Sequence, residues 1–373
     1  MILTVTAGYG HHATANAVAD CMRQKGAEVE VVDVLEQINK LLQEVVARGY
    51  LLTAKYMREA YRVVYRFLET KDQNTSKYSI QNFVSALMAF KFENFIYEYD
   101  PDAIVCTHVT AAQIINELKR RAKLPVPTVG IVTDYTIHPF WQDVPEVEHV
   151  VVASELLCHR GVLKGIPADH LQPLGIPVHP KFAAKMTKTE ARSRLGLEID
   201  KPVLLVMSGS MGYGNTAKLV EQIHDVNPDL QILAVCGNNK AQYQQLTMMG
   251  NVPGLHPYGF VSNVDEMMDA ADCILTKPGG LTVSESLAKG LPMLLMNPIP
   301  GHEERNVEFL LNNGMALLVT KTFPVDEALY YVFHNERRLE LMRECIKLYS
   351  KPNATEDISA FVISLCEKQA KHD

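Results

Sequence analysis

The chain has 373 residues, with 36 basic and 43 acidic side chains and a formal net charge of −7 at pH 7. This length can build two hydrophobic cores of ordinary size. The acidic balance argues against a nucleic-acid binder that depends on phosphate contacts, although a local basic patch stays open. The seven scattered cysteines form no CxxC pair. This arrangement is typical of reduced thiols and predicts no zinc site.

The start of the chain predicts neither a secretion signal nor a membrane anchor. Residues 1–5 have the composition of a strand, without a basic segment followed by a cleavable apolar segment. Apolar runs elsewhere stay below the length of about eighteen residues that a membrane span needs. We therefore expect a protein that neither is secreted nor crosses a membrane.

Strand-like apolar runs alternate with helical patterns along both halves of the chain. The predicted strands of the first half are 2–6, 29–34, 103–107, 128–133 and 149–153, and those of the second half are 203–207, 231–236, 273–276, 292–296 and 316–319. This alternation is typical of parallel sheets with crossover helices. It predicts an α/β protein with two Rossmann-like domains.

A linker is predicted between the two halves. Pro177 and Pro180 resist both helix and central strand, and the charged stretch 181–190 follows them. We place the domain boundary near residue 180, which gives an N-terminal domain of 1–180 and a C-terminal domain of 181–356. The last segment, 357–373, holds a predicted helix that we expect to pack back on the first domain.

A short glycine turn follows the first predicted strand. Gly8, Gly10 and His11 stand there, just before an alanine-rich helix over 13–22. Ligands of α/β proteins bind at this carboxyl edge of the sheet. A histidine there can remove a proton from a hydroxyl group, and glycine lets the substrate come close. The alternative is that His11 or His12 only caps the helix.

Two loops of the second half have the composition of phosphate sites. The first, 207–214, contains Ser210 and Gly212, and its backbone N–H groups could hold a diphosphate. It is not a Walker motif, because no Gly-Lys-Ser/Thr sequence follows; the alternative is an ordinary strand-to-helix loop.

The second loop, 276–285, runs from an apolar strand into Gly279 and Gly280. These glycines allow close approach of a ligand, and we expect Thr282 and Ser284 to cap the helix that follows. The exposed N–H groups of that helix predict an anion site suited to a phosphorylated sugar.

A rigid turn at 298–301 leads into a further predicted helix. The first turn of this helix carries Glu303 and Asn306, which can bind sugar hydroxyls. Alternatively, the acidic residues only complement the positive end of the helix dipole. Asp100 and Asp102 form the only DxD string, but they precede a strand, at the opposite edge from ligand sites. We therefore expect no metal site there.

Taken in order, these segments resemble the family 28-like glycosyltransferases that include plant monogalactosyldiacylglycerol synthases and bacterial processive diacylglycerol glucosyltransferases. The matching segments are 6–11 with Ala15, 127–135, 138–141, 175–178, 258–261, 276–280 with Glu285, and 300–303 with Asn306. The resemblance implies a GT-B fold, in which the parallel sheets of two Rossmann-like domains face a central cleft. It also implies inverting transfer of a hexose, glucose or galactose, from a UDP-sugar to diacylglycerol or a glycosyldiacylglycerol, without a metal or cofactor.

The same resemblance implies roles for individual residues. His11 or Asp134 would act as the base, with His138 and Trp141 on the acceptor side. The donor residues would be Phe260 and Val261 at the uracil, Glu285 at the ribose, Ser210, Gly279, Gly280 and Leu281 at the diphosphate, Glu303 and Asn306 at the hexose, and Gly10, Gly212 and Thr282 nearby.

A basic and aromatic helix is predicted over 48–69. Its basic face and adjoining apolar strip include Lys55, Arg58, Tyr61, Arg62, Tyr65 and Arg66. Such a surface is attracted to an anionic bilayer, so the resemblance favours peripheral binding at the cytoplasmic face of the cell membrane. The alternative is a buried helix with a solvated basic edge.

Three other functions stay open. The chain could transfer N-acetylglucosamine to a polyprenyl-linked acceptor, or could be a UDP-sugar 2-epimerase that uses water in place of a lipid. A non-catalytic sensor of nucleotide sugars is the third alternative. Since His11, Glu285 and Glu303 are all present, the catalytic interpretations are favoured over the sensor.

Overall fold

The computed structural model describes residues 1–6, 9–38, 80–121, 124–207, 216–250 and 252–369. Within these residues the strands form two parallel sheets. The first sheet has the spatial order β2-β1-β3-β4-β5-β6, with β1 (Ile2–Thr4), β2 (Val31–Asp33), β3 (Ile104–Cys106), β4 (Thr128–Ile131), β5 (His149–Val151) and β6 (Leu171–Gln172). The second has the order β12-β11-β10-β7-β8-β9, with β7 (Val203–Met207), β8 (Gln231–Val235), β9 (Leu255–Tyr258), β10 (Cys273–Thr276), β11 (Met293–Leu295) and β12 (Ala316–Leu318).

Helices connect these strands, as parallel pairing requires. The helices of the described residues are α1 (Tyr9–Gln24), α2 (Val34–Ile38), α3 (Ile80–Tyr99), α4 (Val109–Arg120), α5 (Glu155–Leu163), α6 (Lys188–Arg194), α7 (Thr216–Val226), α8 (Lys240–Met248), α9 (Val264–Ala270), α10 (Gly280–Lys289), α11 (His302–Asn312), α12 (Val325–Phe333), α13 (Glu336–Tyr349) and α14 (Ala354–Gln369). Short 3₁₀ turns lie at Pro139–Asp143, Ala168–His170 and Pro180–Phe182. None of the helices in this part of the chain is long and apolar enough to cross a bilayer.

The chain divides into two compact units. Met1–Pro180, Ile299–Arg305 and Asn353–Asp373 form the first unit, and Lys181–Pro298 and Asn306–Pro352 form the second. The last helix, α14, thus belongs to the same unit as the start of the chain.

The core of the first unit lies where α1 and α14 cover its sheet. Ala15, Val18 and Ala19 of α1 are buried, as are Ile358 and Val362 of α14. These residues recur at the three- and four-residue spacing that gives a helix one apolar face. Two polar contacts also hold α14: Thr355 Oγ1 donates to the carbonyl oxygen of Val178 at 2.5 Å, and Lys25 Nζ lies 3.1 Å from Glu356 Oε1.

The core of the second unit consists of its central strands and the helices beside them. Leu204, Ile232 and Leu275 are fully buried in β7, β8 and β10, together with Val220 of α7 and Leu329 of α12. The central strands are apolar on both faces because helices cover both sides of a parallel sheet. The sequence signal for these strands is correspondingly strong.

All ten predicted strands are present, and the structure adds β6 and β9. The second addition, β9, contains Pro257, which cannot donate a ladder hydrogen bond and therefore argues against a central strand. The structure explains this exception, since β9 pairs only with β8, at the edge of its sheet. The other addition, β6, has two residues, too few to show a period.

Candidate active site

His11 lies in the first turn of α1, close to the end of β3. Its Nδ1 atom lies 2.8 Å from the backbone oxygen of Thr107 and 3.3 Å from Thr133 Oγ1. A carbonyl oxygen can only accept a hydrogen bond, so Nδ1 carries the proton. In the neutral ring, Nε2 therefore holds the free electron pair and can accept a proton.

The surroundings of His11 keep its imidazole neutral near pH 7. Burial lowers the pKa of His11 below its ordinary value, against the opposing effects of the Thr107 carbonyl and the charge of Asp134. Positive charge on His302 or His12 lowers this pKa further. A neutral imidazole is the form that a general base needs.

His12 has different partners, although it is the next residue. Its Nε2 atom lies 2.9 Å from Thr6 Oγ1 and 3.2 Å from Asp33 Oδ2. The other oxygen of Asp33 accepts from the backbone N–H groups of Leu35 and Glu36, at the start of α2. Within the described residues, His12 is thus held toward β2, while His11 lies near Asp134.

His108 also lies close to His11, and the sequence analysis did not predict it as a site residue. His108 Nδ1 accepts from the backbone N–H of Thr110 at 3.1 Å, which caps α4. Its ring centre lies 4.6 Å from that of His11, edge to face. Burial lowers the pKa of His108 well below its ordinary value, and charge on His11 and His138 acts in the same direction. Its position directly after a buried strand was the signal that could have identified it.

The predicted catalytic residue Asp134 and the predicted acceptor residues His138 and Trp141 lie around the loop that follows β4. Asp134 is partly buried in this loop, and His138 Nδ1 accepts from the N–H of Phe140 at 3.3 Å, at the start of a 3₁₀ turn. Trp141 differs from the expectation, because its side chain is only 5% exposed. A Cβ atom on Gly130 would overlap its ring. Trp141 is therefore part of the packed interior of the first unit, and direct membrane contact by this side chain is not supported.

The glycine loop of the second unit leads directly into α10. Gly279 is the residue before the helix, and Gly280 begins it, so the amides of Gly280, Leu281 and Thr282 have no acceptor within the helix. The prediction that Thr282 and Ser284 cap this helix is wrong, because both lie inside it. Ser284 Oγ instead donates to the carbonyl oxygen of Gly280 at 2.7 Å.

Glu303 and Asn306 are buried and bound to backbone. Glu303 is 3% exposed, and its Oε2 atom accepts from the N–H of Ile299 at 2.6 Å. Asn306 is 0% exposed, and its Nδ2 atom donates to the carbonyl oxygen of Pro278 at 3.0 Å. These contacts give both side chains a structural role, and their binding of a hexose stays a prediction.

Three other predicted donor residues, Phe260, Val261 and Glu285, differ in their exposure and in their charge. Phe260 follows β9 and is 77% exposed, whereas Val261, next to it, is partly buried. Glu285 lies on α10, where burial raises the pKa of its carboxyl to about 8. The positive charge of Lys181 lowers this pKa, and Asp265 raises it. Glu285 is thus mostly protonated at neutral pH.

Gly10 lies in α1, next to His11, and the space beside it is open. A Cβ atom at this position would meet no atom within 4 Å outside the helix itself. Packing against the described residues therefore does not require glycine here, and the binding of a ligand beside Gly10 stays a prediction.

Some predicted residues lie outside the described part of the chain. These are Ser210 and Gly212, predicted at the diphosphate, and Lys55, Arg58, Tyr61, Arg62, Tyr65 and Arg66, predicted on a basic helix. Among the residues that the structure describes, no group of three or more His, Cys, Asp or Glu side chains is placed to hold a metal ion. Asp100 and Asp102 precede β3, at the amino edge of the first sheet.

Comparison with known proteins places the two halves in glycosyltransferase domains. Residues 11–178 match the monogalactosyldiacylglycerol (MGDG) synthase family, and residues 203–358 match the glycosyltransferase family 28 C-terminal domain. A processive diacylglycerol beta-glucosyltransferase of Bacillus pumilus is 28% identical over 96% of this chain and 92% of its own length. The same enzyme of Bacillus cytotoxicus is 27% identical over 100% of this chain and 95% of its own length.

Solved structures agree on the fold. MurG of Acinetobacter baumannii has a TM-score of 0.65 at 16% identity, covering 98% of this chain and 99% of its own. The MnaA–UDP structure of S. aureus has a TM-score of 0.58 at 15% identity, covering 96% and 93%. These similarities, with the two six-stranded parallel sheets, confirm the predicted GT-B class of two Rossmann-like domains. Since the two family matches follow each other along the chain and the relatives cover it almost from end to end, the chain belongs to the glycosyltransferases that join an MGDG synthase domain to a family 28 C-terminal domain.

Proposed function

We propose that this chain is an inverting transferase that moves a hexose, glucose or galactose, from a UDP-sugar to the hydroxyl group of diacylglycerol or of a glycosyldiacylglycerol. The observation that carries the proposal is the state of His11. Its Nδ1 atom is bound to the Thr107 carbonyl, and burial keeps the ring neutral, so Nε2 is available as a base. The relatives named processive diacylglycerol beta-glucosyltransferase support the lipid acceptor.

In the proposed reaction, His11 Nε2 takes the proton of the acceptor hydroxyl. The acceptor oxygen then attacks the anomeric carbon from the face opposite UDP, and the bond between that carbon and the diphosphate breaks. A single displacement of this kind inverts the configuration at the anomeric carbon. The charge of Asp134 stabilises the imidazolium that forms, because it favours the protonated ring.

We propose that the departing diphosphate is stabilised by backbone amides rather than by a metal ion or other cofactor. The first-turn N–H groups of α10, at Gly280, Leu281 and Thr282, are donors of the required kind. One helix end contributes only about 0.3 to 2 kcal/mol, so several donors must act together. We expect full activity in the presence of EDTA, and loss of activity that Mg²⁺ restores would contradict this part of the proposal.

Membrane contact is the remaining part of the proposal. We propose that the basic and aromatic residues of 48–69 bind an anionic bilayer at the cytoplasmic face of the cell membrane, because a lipid acceptor must be taken from a membrane surface. Replacement of Arg58, Arg62 and Arg66 by Glu should release the protein from anionic vesicles. Neutral vesicles are the control. Unchanged vesicle binding would contradict this assignment.

The experiment that tests the function is an incubation of the purified chain with radiolabelled UDP-glucose or UDP-galactose and diacylglycerol vesicles. Labelled glycolipid is the expected product. Label in a soluble product would indicate an epimerase, and binding without turnover would indicate a sensor. Transfer only from UDP-N-acetylglucosamine to a polyprenyl-linked acceptor would identify the related transferase. The His11→Ala variant is the control for turnover at the proposed site.

A further inference from the structure

We propose that Lys181 is a positioning residue for the nucleotide: its ammonium group holds the segment that follows Phe260 and Val261 and presents a positive charge to Glu285. The inference rests on the proposed function, because it takes Glu285 as the group that holds the ribose. Lys181, Ser262, Asp265 and Glu285 all belong to the second unit.

The contacts of Lys181 join a loop and a helix. Lys181 lies in the 3₁₀ turn Pro180–Phe182, and its Nζ atom donates to the backbone oxygen of Ser262. The same atom lies 3.0 Å from Oδ1 of Asp265, in the first turn of α9. One ammonium group thus connects the end of the predicted uracil segment with the start of the next helix.

The segment that Lys181 holds has little packing of its own. Phe260 is 77% exposed, and a Cβ atom on Gly259 would meet no atom within 4 Å. Close packing is what normally restricts a side chain to one position, and it is weak here. The hydrogen bond from Lys181 to Ser262 therefore contributes more to fixing the position of this segment. Phe260 and Val261, which are predicted to contact the uracil ring, lie directly before Ser262.

The charge of Lys181 acts on the second part of the nucleotide site. An ionised carboxylate accepts hydrogen bonds from both ribose hydroxyls, and these charge-assisted bonds are stronger than the bonds that a protonated carboxyl makes. Burial raises the pKa of Glu285 to about 8, Lys181 lowers it, and Asp265 raises it. These are the two charges that act on Glu285 from the described residues. Lys181 thus increases the fraction of Glu285 that is ready to bind ribose.

A purely structural role for Lys181 predicts different behaviour. The Lys181–Asp265 pair is partly exposed, at 32% and 19%, and pairs of this kind contribute about 1 kcal/mol or less to stability. A structural role would lower the melting temperature slightly and leave the pH dependence of nucleotide binding unchanged. A positioning role changes that pH dependence.

The test is a titration of the full chain with UDP by calorimetry between pH 7 and pH 9.5. For the unchanged chain, we expect the affinity to rise up to about tenfold per pH unit until Glu285 is ionised, and then to level off. Lys181→Met should move the midpoint of this rise to higher pH and weaken binding at pH 7, because the positive charge that lowers the pKa of Glu285 is lost. Lys181→Arg should restore the original midpoint, because it keeps the charge.

Asp265→Asn should shift the midpoint of the pH dependence of UDP affinity in the opposite direction. Removal of this negative charge should move the midpoint down and strengthen binding at pH 7, which a merely damaged loop would not do. Lys201→Met is the matched control, because Lys201 pairs with Glu198 at 2.8 Å on the exposed surface of the same unit. It should leave the midpoint where it is.

The outcomes separate this inference from the proposed function. An unchanged chain that binds no UDP overturns both. An unchanged chain that binds UDP with a flat pH profile, or a Lys181→Met variant with an unshifted midpoint, overturns the role of Lys181 alone. If Lys181→Met does not fold, as judged by its melting curve, Asp265→Asn decides, since a midpoint that fails to move down overturns the inference.

Discussion

The side-chain amide of Asn306 donates a hydrogen bond to the carbonyl oxygen of Pro278, at an Nδ2-to-oxygen distance of 3.0 Å. Asn306 lies on α11, and Pro278 comes directly before the two glycines that lead into α10. The bond joins residues 28 positions apart and is completely buried. It therefore ties the glycine loop to a helix that the loop does not adjoin in sequence.

We expect Asn306→Ala to destabilise the protein by about 1 to 3 kcal/mol, because the Pro278 carbonyl loses a buried partner. The loosened loop should also bind UDP more weakly. Denaturant unfolding and UDP titration measure the two effects. Asn313→Ala is the control, because its Nδ2 atom also donates to a backbone oxygen, that of Phe309 at 2.8 Å, without contacting the loop. Equal loss of UDP binding in both variants would contradict a specific role for Asn306.

His11→Ala should lower kcat by about 10² to 10⁴, the usual contribution of a general base. Thr133→Val should cost less than about tenfold, because the Thr107 carbonyl still fixes the Nδ1 proton. Steady-state rates with saturating UDP-sugar measure both changes. Full activity in both His11→Ala and Asp134→Ala would show that neither residue is the general base.

The pH dependence of kcat gives a second test of His11. Burial lowers the pKa of His11, so the unprotonated ring dominates at pH 7 and kcat should fall only as the pH drops through that lowered value. The charge of Asp134 raises the same pKa. Asp134→Asn should therefore move the acid limb of the profile to lower pH, and a shift to higher pH would show that another group titrates.

Glu285→Gln should change how stability depends on pH. The pKa of Glu285 rises from 4.5 to about 8 in the folded chain, so the folded state favours the protonated carboxyl. The stabilisation that the protonated Glu285 carboxyl gives the folded state is complete below pH 4.5 and is lost as the pH rises to about 8. Within this range the free energy of unfolding falls by up to about 1.4 kcal/mol per pH unit.

The glutamine variant lacks this loss. Its free energy of unfolding, relative to that of the unchanged chain, should therefore increase from pH 5 to pH 8.5. Denaturant unfolding at both values measures the difference. A difference that stays constant with pH would mean that Glu285 is ionised in the folded protein at pH 5.

Gly10→Ala and Gly130→Ala should have opposite consequences. A Cβ atom at Gly10 meets no atom within 4 Å, so the variant should keep its melting temperature, while activity falls because the Cβ atom occupies the space that a ligand needs. At Gly130 the added atom overlaps the Trp141 ring, which should destabilise the first unit by about 1 to 3 kcal/mol. Normal activity of a folded Gly10→Ala variant would rule out ligand approach at this position.

The strands and their order along the chain could be predicted from sequence because their signal is local. Apolar runs such as Val203–Met207 and Gln231–Val235 show their strand character without reference to any other segment. The position of His11 and of Gly279 after strands follows from the same pattern, since the carboxyl ends of parallel strands share one edge of a sheet. The exceptions are β6, which is too short to show a period, and β9, whose Pro257 is tolerated only because the strand lies at an edge.

The sequence by itself thus determined the fold class, the two-domain plan and the loops at which chemistry was expected. Only the tertiary structure decided the chemical state of the site. The proton position on His11 depends on Thr107, 96 residues away, and the pKa of Glu285 is raised by burial and lowered by Lys181. The burial of Trp141 and the bond from Asn306 to Pro278 are likewise set by residues distant in sequence. Charge, desolvation and hydrogen-bond geometry arise from neighbours in space, and no local pattern of residues encodes them.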